Sequence, residues 1–373
     1  MSGLKFDSEY LKAIEPFIGG PQPPQQSNDI YGRRATMNMI MTAANDFAPA
    51  PPAVPQTVFI VKSHDGVDIK VTRFATEAAS KSETPTPAVV YLHGGGFFCN
   101  SVEIFSPRIA RCAHDSDLPY FAVSYRLAPE HPAPCAIEDC YAVIKHLSES
   151  SQEFNIDPAK IIVHGDSAGG GVAAGAALLA RDRKLEPPLA KQILIYPMLD
   201  DRTKVKDDDP SIELMVWKPD ANVIAWDAYL SEARKNSDIL PYAVPARAAS
   251  LRGLPPTYIE VGTLDLFRDE DIEYANRLAR ENVEVEFHLW PGLPHGFDGF
   301  LNLSWYERAK ESRMSALKRN IFKYFSKFNE LKHALSGSQT RIMGLKEKFW
   351  HPSMPRKKNF LGFGPPEEVK GDG

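Results

Sequence analysis

Ser167 stands in Gly165-Asp166-Ser167-Ala168-Gly169, a G-x-S-x-G arrangement preceded by the β-branched run Ile161-Ile162-Val163 and followed by small residues as far as Ala180. That order describes a buried strand, a sharp turn and a helix. Glycines at 165 and 169 suit a turn so tight that side chains there would meet neighbouring backbone, and the turn lifts the serine hydroxyl onto a helix N-terminus. An activated serine of this kind performs acyl transfer. It needs a base, an acid to orient that base, and donors for a developing oxyanion.

The chain offers a candidate for each. His295, in Pro291-Gly-Leu-Pro-His-Gly-Phe297, follows the last expected strand, whereas its rival His288 lies inside that strand with its ring committed to one sheet face. An imidazole can take the hydroxyl proton and return it to a leaving group near neutral pH. Asp265, just past the preceding strand, is preferred as the acid to Asp269, Glu270 and Asp271, which fall where a helix start uses carboxylates anyway. Its task is to hold the imidazole tautomer and stabilise the imidazolium. Successive glycines in His93-Gly94-Gly95-Gly96 let backbone N–H groups approach an oxyanion, and the N–H of Ala168 adds one more. A phosphate loop is the competing reading of that glycine run, but no Lys-Ser/Thr follows and the spacing is not G-x-G-x-x-G.

These residues require a scaffold that brings strand ends together. Apolar runs at 57–62, 67–74, 88–92, 118–124, 161–163, 192–196, 257–261 and 285–289 read as strands, the first two joined by the hairpin signal His64-Asp-Gly66. Helical patterns at 135–148, 168–180, 269–281 and 305–325 alternate with the later strands, which predicts a mostly parallel sheet covered on both faces. Residues 1–55 differ: two amphipathic helices, one around Phe6 to Ile14 and a methionine-rich one at 30–44, are separated by Gly19-GPQPPQQ-Ser27 and closed by the proline linker at 48–55. Met37, Met39 and Met41 are expected in the core, with a pocket wall, which flexible thioethers also suit, as the alternative. The segment at about 200–245 is polar and irregular, and Phe97, Trp217, Trp226 and Tyr229 are expected to wall a substrate pocket, with packing inside the segment's own core as the alternative for the last three.

The motifs His93-GGG-Phe97, Tyr125-RLAPEH-Pro132, Gly165-DSAG-Gly170, Ile193-LIY-Pro197, Asp265-LFRD-Glu270 and His295-Gly-Phe297, in this order, resemble the hormone-sensitive-lipase-like esterases over roughly residues 56–325. The resemblance implies an α/β-hydrolase fold with an eight-stranded, mostly parallel sheet. It implies Ser167, Asp265 and His295 as the triad, and Gly95, Gly96 and Ala168 as oxyanion donors, with Gly94 left open. Residues 1–55 and about 200–245 occupy the places where that family builds a helical cap on a catalytic domain of 56–330. Leu266 and Phe267 replace a usual Pro-Leu, and Gly171 replaces a frequent Asn. The prolines give the chain the look of fungal members acting on natural-product acetates or lactones.

The implied activity is hydrolysis of short-acyl carboxylic esters without metal or cofactor, on a small-molecule ester as the partner. A lactonase, formamidase or acyltransferase would use the same residues. Non-catalytic receptors on this fold, such as the gibberellin receptors, lack the catalytic histidine that is present here as His295.

A net charge of −5 gives no reason to expect a nucleic-acid partner. The excess is uneven, since residues 301–373 carry 15 Lys and Arg against 7 Asp and Glu, and the basic extension at 331–373 is expected to be extended or disordered. The start, MSGLKFDSEY, has no apolar signal-like run and no segment reaches a membrane-spanning length, which points to a cytoplasmic protein without stable membrane insertion. Cys99, Cys112, Cys135 and Cys140 show no C-x-x-C spacing and are expected as free thiols. A homodimer is compatible with this reading.

Overall fold

The computed structural model describes residues 3–17, 29–236 and 239–319. The breaker at 19–27, positions 320–325 of the expected last helix and the basic extension at 331–373 lie outside them. Eight strands form one sheet: β1 (Gln56–Lys62), β2 (Asp68–Phe74), β3 (Thr86–Leu92), β4 (Tyr120–Val123), β5 (Ile156–Asp166), β6 (Lys191–Ile195), β7 (Thr257–Gly262) and β8 (Val285–Trp290). Their order across the sheet is β1-β2-β4-β3-β5-β6-β7-β8. The β1–β2 hairpin and the β2–β4 pair are antiparallel, and every later pair is parallel.

The helices are α1 (Ser8–Ile14), α2 (Ile30–Phe47), a short α3 (Glu77–Ser80), α4 (Val102–Ser116), α5 (Cys135–Glu149), α6 (Ala168–Asp182), α7 (Pro219–Leu230), α8 (Glu232–Asn236), α9 (Arg268–Arg280) and α10 (Ser304–Lys318). Side chains alternate along the strands between two cores, as the two-residue period requires. Ala88, Val90 and Leu92 of β3 enter the core shared with α5, α6 and α9, while Val89 and Tyr91 face α4 and α10. No helix among the described residues is long and apolar enough to cross a membrane. The four cysteines are free, Cys99 and Cys140 buried.

One large element was not legible beforehand. The sequence reading leaves 102–116 without structure, yet it forms α4, capped by Ser101, whose hydroxyl accepts the N–H of Ile104. Val102, Phe105, Ile109 and Ala113 make its buried stripe. Pro107 lies inside it, and a proline amid polar residues reads as a breaker.

The link between sheet and site is the crossing of β5 into α6. A Cβ at position 165 would lie 2.1 Å from the carbonyl oxygen of Gly169, and one at 169 would lie 2.2 Å from that of Leu92. Strand end and helix start therefore touch backbone to backbone. Gly165→Ala is expected to lower stability by about 1–3 kcal/mol or more, read as the urea unfolding midpoint. Gly299→Ala, where the Cβ position meets open space, should stay within about 0.5 kcal/mol. Equal midpoints for both variants would contradict the close approach.

Candidate active site

Ser167 is the residue between β5 and α6, with φ 56° and ψ −121°. A serine held there is strained, and the surrounding bonds hold it: its N–H donates to Ile195 O at 2.8 Å, while its carbonyl accepts from Gly171 N and Met198 N at 3.1 and 3.0 Å. Gly171, which departs from the family pattern, has a steric reason here, because a Cβ would lie 2.3 Å from Met198 O.

The other two candidates come from the loops after β7 and β8, which are stitched together before they reach the serine. Thr263 N–H donates to Trp290 O at 2.9 Å, Leu264 N–H to Leu293 O at 3.0 Å, and Gly292 N–H to Thr263 Oγ1 at 2.8 Å. This places Asp265 Oδ2 2.7 Å from His295 Nδ1 and His295 Nε2 2.9 Å from Ser167 Oγ. The other oxygen of Asp265 accepts the N–H of Phe267 at 2.9 Å, which fixes the carboxylate plane. With Nδ1–H donated to the carboxylate, Nε2 is left to accept the serine hydroxyl. Phe267, the second departure, packs edge-on against the His295 ring at 5.2 Å, and Tyr196 does so from another side at 4.6 Å.

The rivals serve elsewhere. His288 bonds Glu286 and stacks on Trp290. Asp269 is exposed and paired with Arg268. Glu270 accepts from Leu199 N and Asp200 N at 2.6 and 3.2 Å, anchoring the start of the 200–245 segment to α9. Asp271 is buried beside Glu270 and Asp265, and burial followed by those two charges raises its pKa well above the usual carboxylate range.

Gly94, Gly95 and Gly96 line the same cavity as Ser167 and His295. Gly95 and Gly96 have φ of 135° and 56°, backbone that favours glycine. Their carbonyls are tied down: Gly94 O accepts from Asn100 Nδ2 at 3.2 Å, and Gly95 O from Phe98 N and Cys99 N at 3.1 and 3.0 Å. In a planar trans peptide the N–H points opposite its carbonyl, so these bonds also aim the N–H groups of Gly95 and Gly96. Helix α2 reinforces the loop from outside. Asn38 Oδ1 accepts Asn100 N–H at 2.7 Å, and Arg34 donates to Phe98 O and to Ala128 O while forming a two-pronged pair with Glu130. The sequence reading missed both residues, since nothing local marks a helix residue that bonds a loop some 60 positions away.

The cavity has a volume of about 490 Å³. Its walls include Met37 and Met41 of α2, Phe98, Phe105, and Val216 and Trp217 from the 200–245 segment. Across it, Arg33 of α2 pairs with Asp220 of α7 at 3.4 Å. Two expectations are corrected. Met37 and Met41 line the cavity as well as touching the cores, and Met39 is exposed. Of the four aromatic residues expected in the pocket wall, only Trp217 is there. Phe97 stacks on Tyr229 at 3.9 Å and Trp226 leans on both, with all three buried away from the cavity. Flat rings with few polar atoms release more free energy packed together than facing a wet pocket.

At one wall of the cavity lies a largely buried ionic cluster that the sequence reading did not find. Arg108 of α4 donates Nε to Asp166 at 2.7 Å and Nη2 to Asp298 at 2.6 Å. Tyr91 OH donates to Asp166 and Tyr196 OH to Asp298, and Arg313 of α10 bridges Asp298 and Glu260. Burial would raise the pKa of Asp166, but the Arg108 charge together with the neighbouring His164 outweighs it and holds the carboxyl at about 2. Asp298, facing both guanidiniums, is held far below the usual range despite the same burial. His93, stacked on Tyr125 at 4.5 Å, is driven down to about 4 by burial.

Two measurements check this description. Trp226→Ala should cost about 3–5 kcal/mol of stability by denaturant unfolding with no change in ligand-size preference, whereas Trp217→Ala should change that preference; the reverse assignment would overturn the cavity wall described here. His93 is uncharged when folded but titrates near pH 6.5 when unfolded, so its contribution is whole above about pH 6.5 and drains away as pH falls through about 4. His93→Gln should flatten the decline of the urea midpoint between those values, and an unaltered pH profile would contradict it.

The profile of a family described as alpha/beta hydrolase fold matches residues 89–299. Esterase LipI of Mycobacterium tuberculosis is 34% identical over 255 residues, covering 68% of this chain and 78% of that protein. Carboxylesterase NlhH of the same species is 36% identical over 243 residues, with 63% and 74% covered. Among solved structures, a bacterial heroin esterase superposes with a TM-score of 0.75 at 32% identity, over 86% of this chain and 99% of that one. The relatives are mostly bacterial and do not support the expected fungal character. On this matching span, and on relatives that are named esterases, the chain belongs to the alpha/beta hydrolase fold family, among the hormone-sensitive-lipase-like carboxylic ester hydrolases.

Proposed function

We propose that the protein is a serine carboxylesterase that cleaves short-acyl carboxylic esters through an acyl-enzyme on Ser167. The observation that carries this reading is the unbroken hydrogen-bonded line from Asp265 through His295 to Ser167, at 2.7 and 2.9 Å, beside the glycine loop. In this mechanism His295 Nε2 accepts the serine proton as Oγ attacks the ester carbonyl. The carbonyl π electrons move to oxygen, where the N–H groups of Gly95, Gly96 and Ala168 receive the charge. Each such donor is worth on the order of 3 kcal/mol in the transition state. The imidazolium, stabilised by Asp265, protonates the leaving alcohol as the C–O bond breaks. Water, activated by the same imidazole, then attacks the acyl-enzyme and releases acid and free serine.

Helix α2 and the 200–245 segment act in this reading as a cap. They supply Met37, Met41 and Trp217 to the cavity and are tied to each other by Arg33 and Asp220. The names of the relatives support ester cleavage, and the cavity of about 490 Å³ suits a small ester.

The test is turnover of p-nitrophenyl acetate and butyrate, with a fluorophosphonate probe followed by intact-protein mass spectrometry. The protein should hydrolyse both esters and gain one adduct. Ser167→Ala should abolish the adduct and lower kcat by a factor on the order of 10⁴ or more. An adduct on another residue, or no turnover of either ester, would falsify the proposal.

A further inference from the structure

Arg108 joins two residues that adjoin the nucleophile and the base without being either. Asp166 is the last residue of β5 and is bonded covalently to Ser167; Asp298 lies on the 3₁₀ turn Phe297–Gly299, three positions after His295. One guanidinium holds both carboxylates, Nε on Asp166 at 2.7 Å and Nη2 on Asp298 at 2.6 Å. Both carboxylates are buried, and no other cation described bridges the two segments: Arg313 meets Asp298 but pairs otherwise with Glu260. A third piece follows from the same contact. Tyr196 OH donates to Asp298 at 2.7 Å, and the Tyr196 ring lies against His295 at 4.6 Å.

From this geometry we infer that Arg108 is a positioning residue, whose planar fork sets the separation of Ser167 Oγ and His295 Nε2 by clamping the elbow strand to the histidine turn. The inference rests on the triad reading above. Without the guanidinium, two buried carboxylates face each other with no shared counter-charge, and the segments carrying nucleophile and base are pushed apart. A displacement near 1 Å between reacting groups is enough to cost roughly a hundredfold in rate. Lysine offers one point charge rather than a fork, so it cannot hold both carboxylates at these distances. Arg108 also reaches the cavity wall, so a small cation entering from the cavity can occupy the space its removal leaves.

The experiment measures kcat and KM on p-nitrophenyl butyrate for the full-length wild type, Arg108→Lys and Arg108→Ala, with active sites counted by a fluorophosphonate so that rates refer to folded enzyme. For Arg108→Lys, which keeps the charge, kcat should fall at least about tenfold with KM changed less than about threefold. For Arg108→Ala the fall should reach about a hundredfold. Guanidinium chloride, kept well below denaturing concentration, should restore part of the kcat of Arg108→Ala while sodium chloride of equal ionic strength does not. Wild-type kcat in Arg108→Lys overturns the inference whether or not Arg108→Ala folds. A rise in KM at constant kcat overturns it too, since that would make Arg108 a ligand contact. If the wild type itself hydrolyses no ester, the esterase reading fails rather than the clamp; an active wild type with unaffected variants sinks the clamp alone.

Discussion

A hydrogen bond of 2.9 Å joins His295 to a serine 128 positions earlier in the chain, and a hydroxyl can be activated only while that distance holds. It is a demanding constraint, because the two groups and Asp265 hang from three different strands. Parallel pairing of β5, β6, β7 and β8 in register brings the carboxyl ends of these strands to one edge. The bonds between Thr263, Leu264, Trp290, Gly292 and Leu293 then merge the last two loops into a single support. The serine side is held by sterics instead, since the backbones at 165 and 169 meet without room for a Cβ.

Electrostatics beneath the site follow from the same demand for fixed distances. Burying Arg313, Asp166, Asp298 and Glu260, with Arg108 partly buried beside them, carries a large desolvation cost, which close, forked pairing offsets. Replacing such a cluster by apolar residues is often neutral for stability, so stability alone does not account for it. What the cluster adds is direction: both oxygens of Asp298 and of Glu260, and Oδ2 of Asp166, are assigned to particular donors, and a side chain with assigned partners cannot drift. The glycine loop is treated likewise, with Asn100 holding Gly94 O and Asn38 holding Asn100. Helix α2 thereby contributes both cavity wall and support for the glycine loop that lines the cavity with Ser167.

Much of this could be read in advance, and the parts that could not share a cause. Residues next to one another in a motif carry their own geometry: G-x-S-x-G needs its glycines for a local turn, and Asp265 and His295 each follow a strand directly. Helix α4 was hidden because Pro107 argues against a helix locally, while Phe105, Ile109 and Ala113 argue for one only once the sheet they cover is known. Arg108, Arg34 and Asn38 look like ordinary surface residues of amphipathic helices until their partners 58, 64 and 62 positions away are in view. The aromatic residues were misplaced for a related reason. Composition shows that Phe97, Trp226 and Tyr229 will be buried, but whether rings face each other or a cavity depends on how α7 settles against the glycine loop.

By itself, then, the order of residues determined the strand–turn–helix around Ser167, the choice of Asp265 and His295 as its candidate partners and the glycine loop, because short-range sterics and the carboxyl-end rule leave little choice there. Only the tertiary structure decided which methionines meet the cavity, which aromatic ring faces it and which cation pairs with the carboxylates at its wall. Those outcomes depend on contacts between segments far apart in the chain. Such contacts are selected by how whole elements pack, and no stretch of neighbouring residues records that packing.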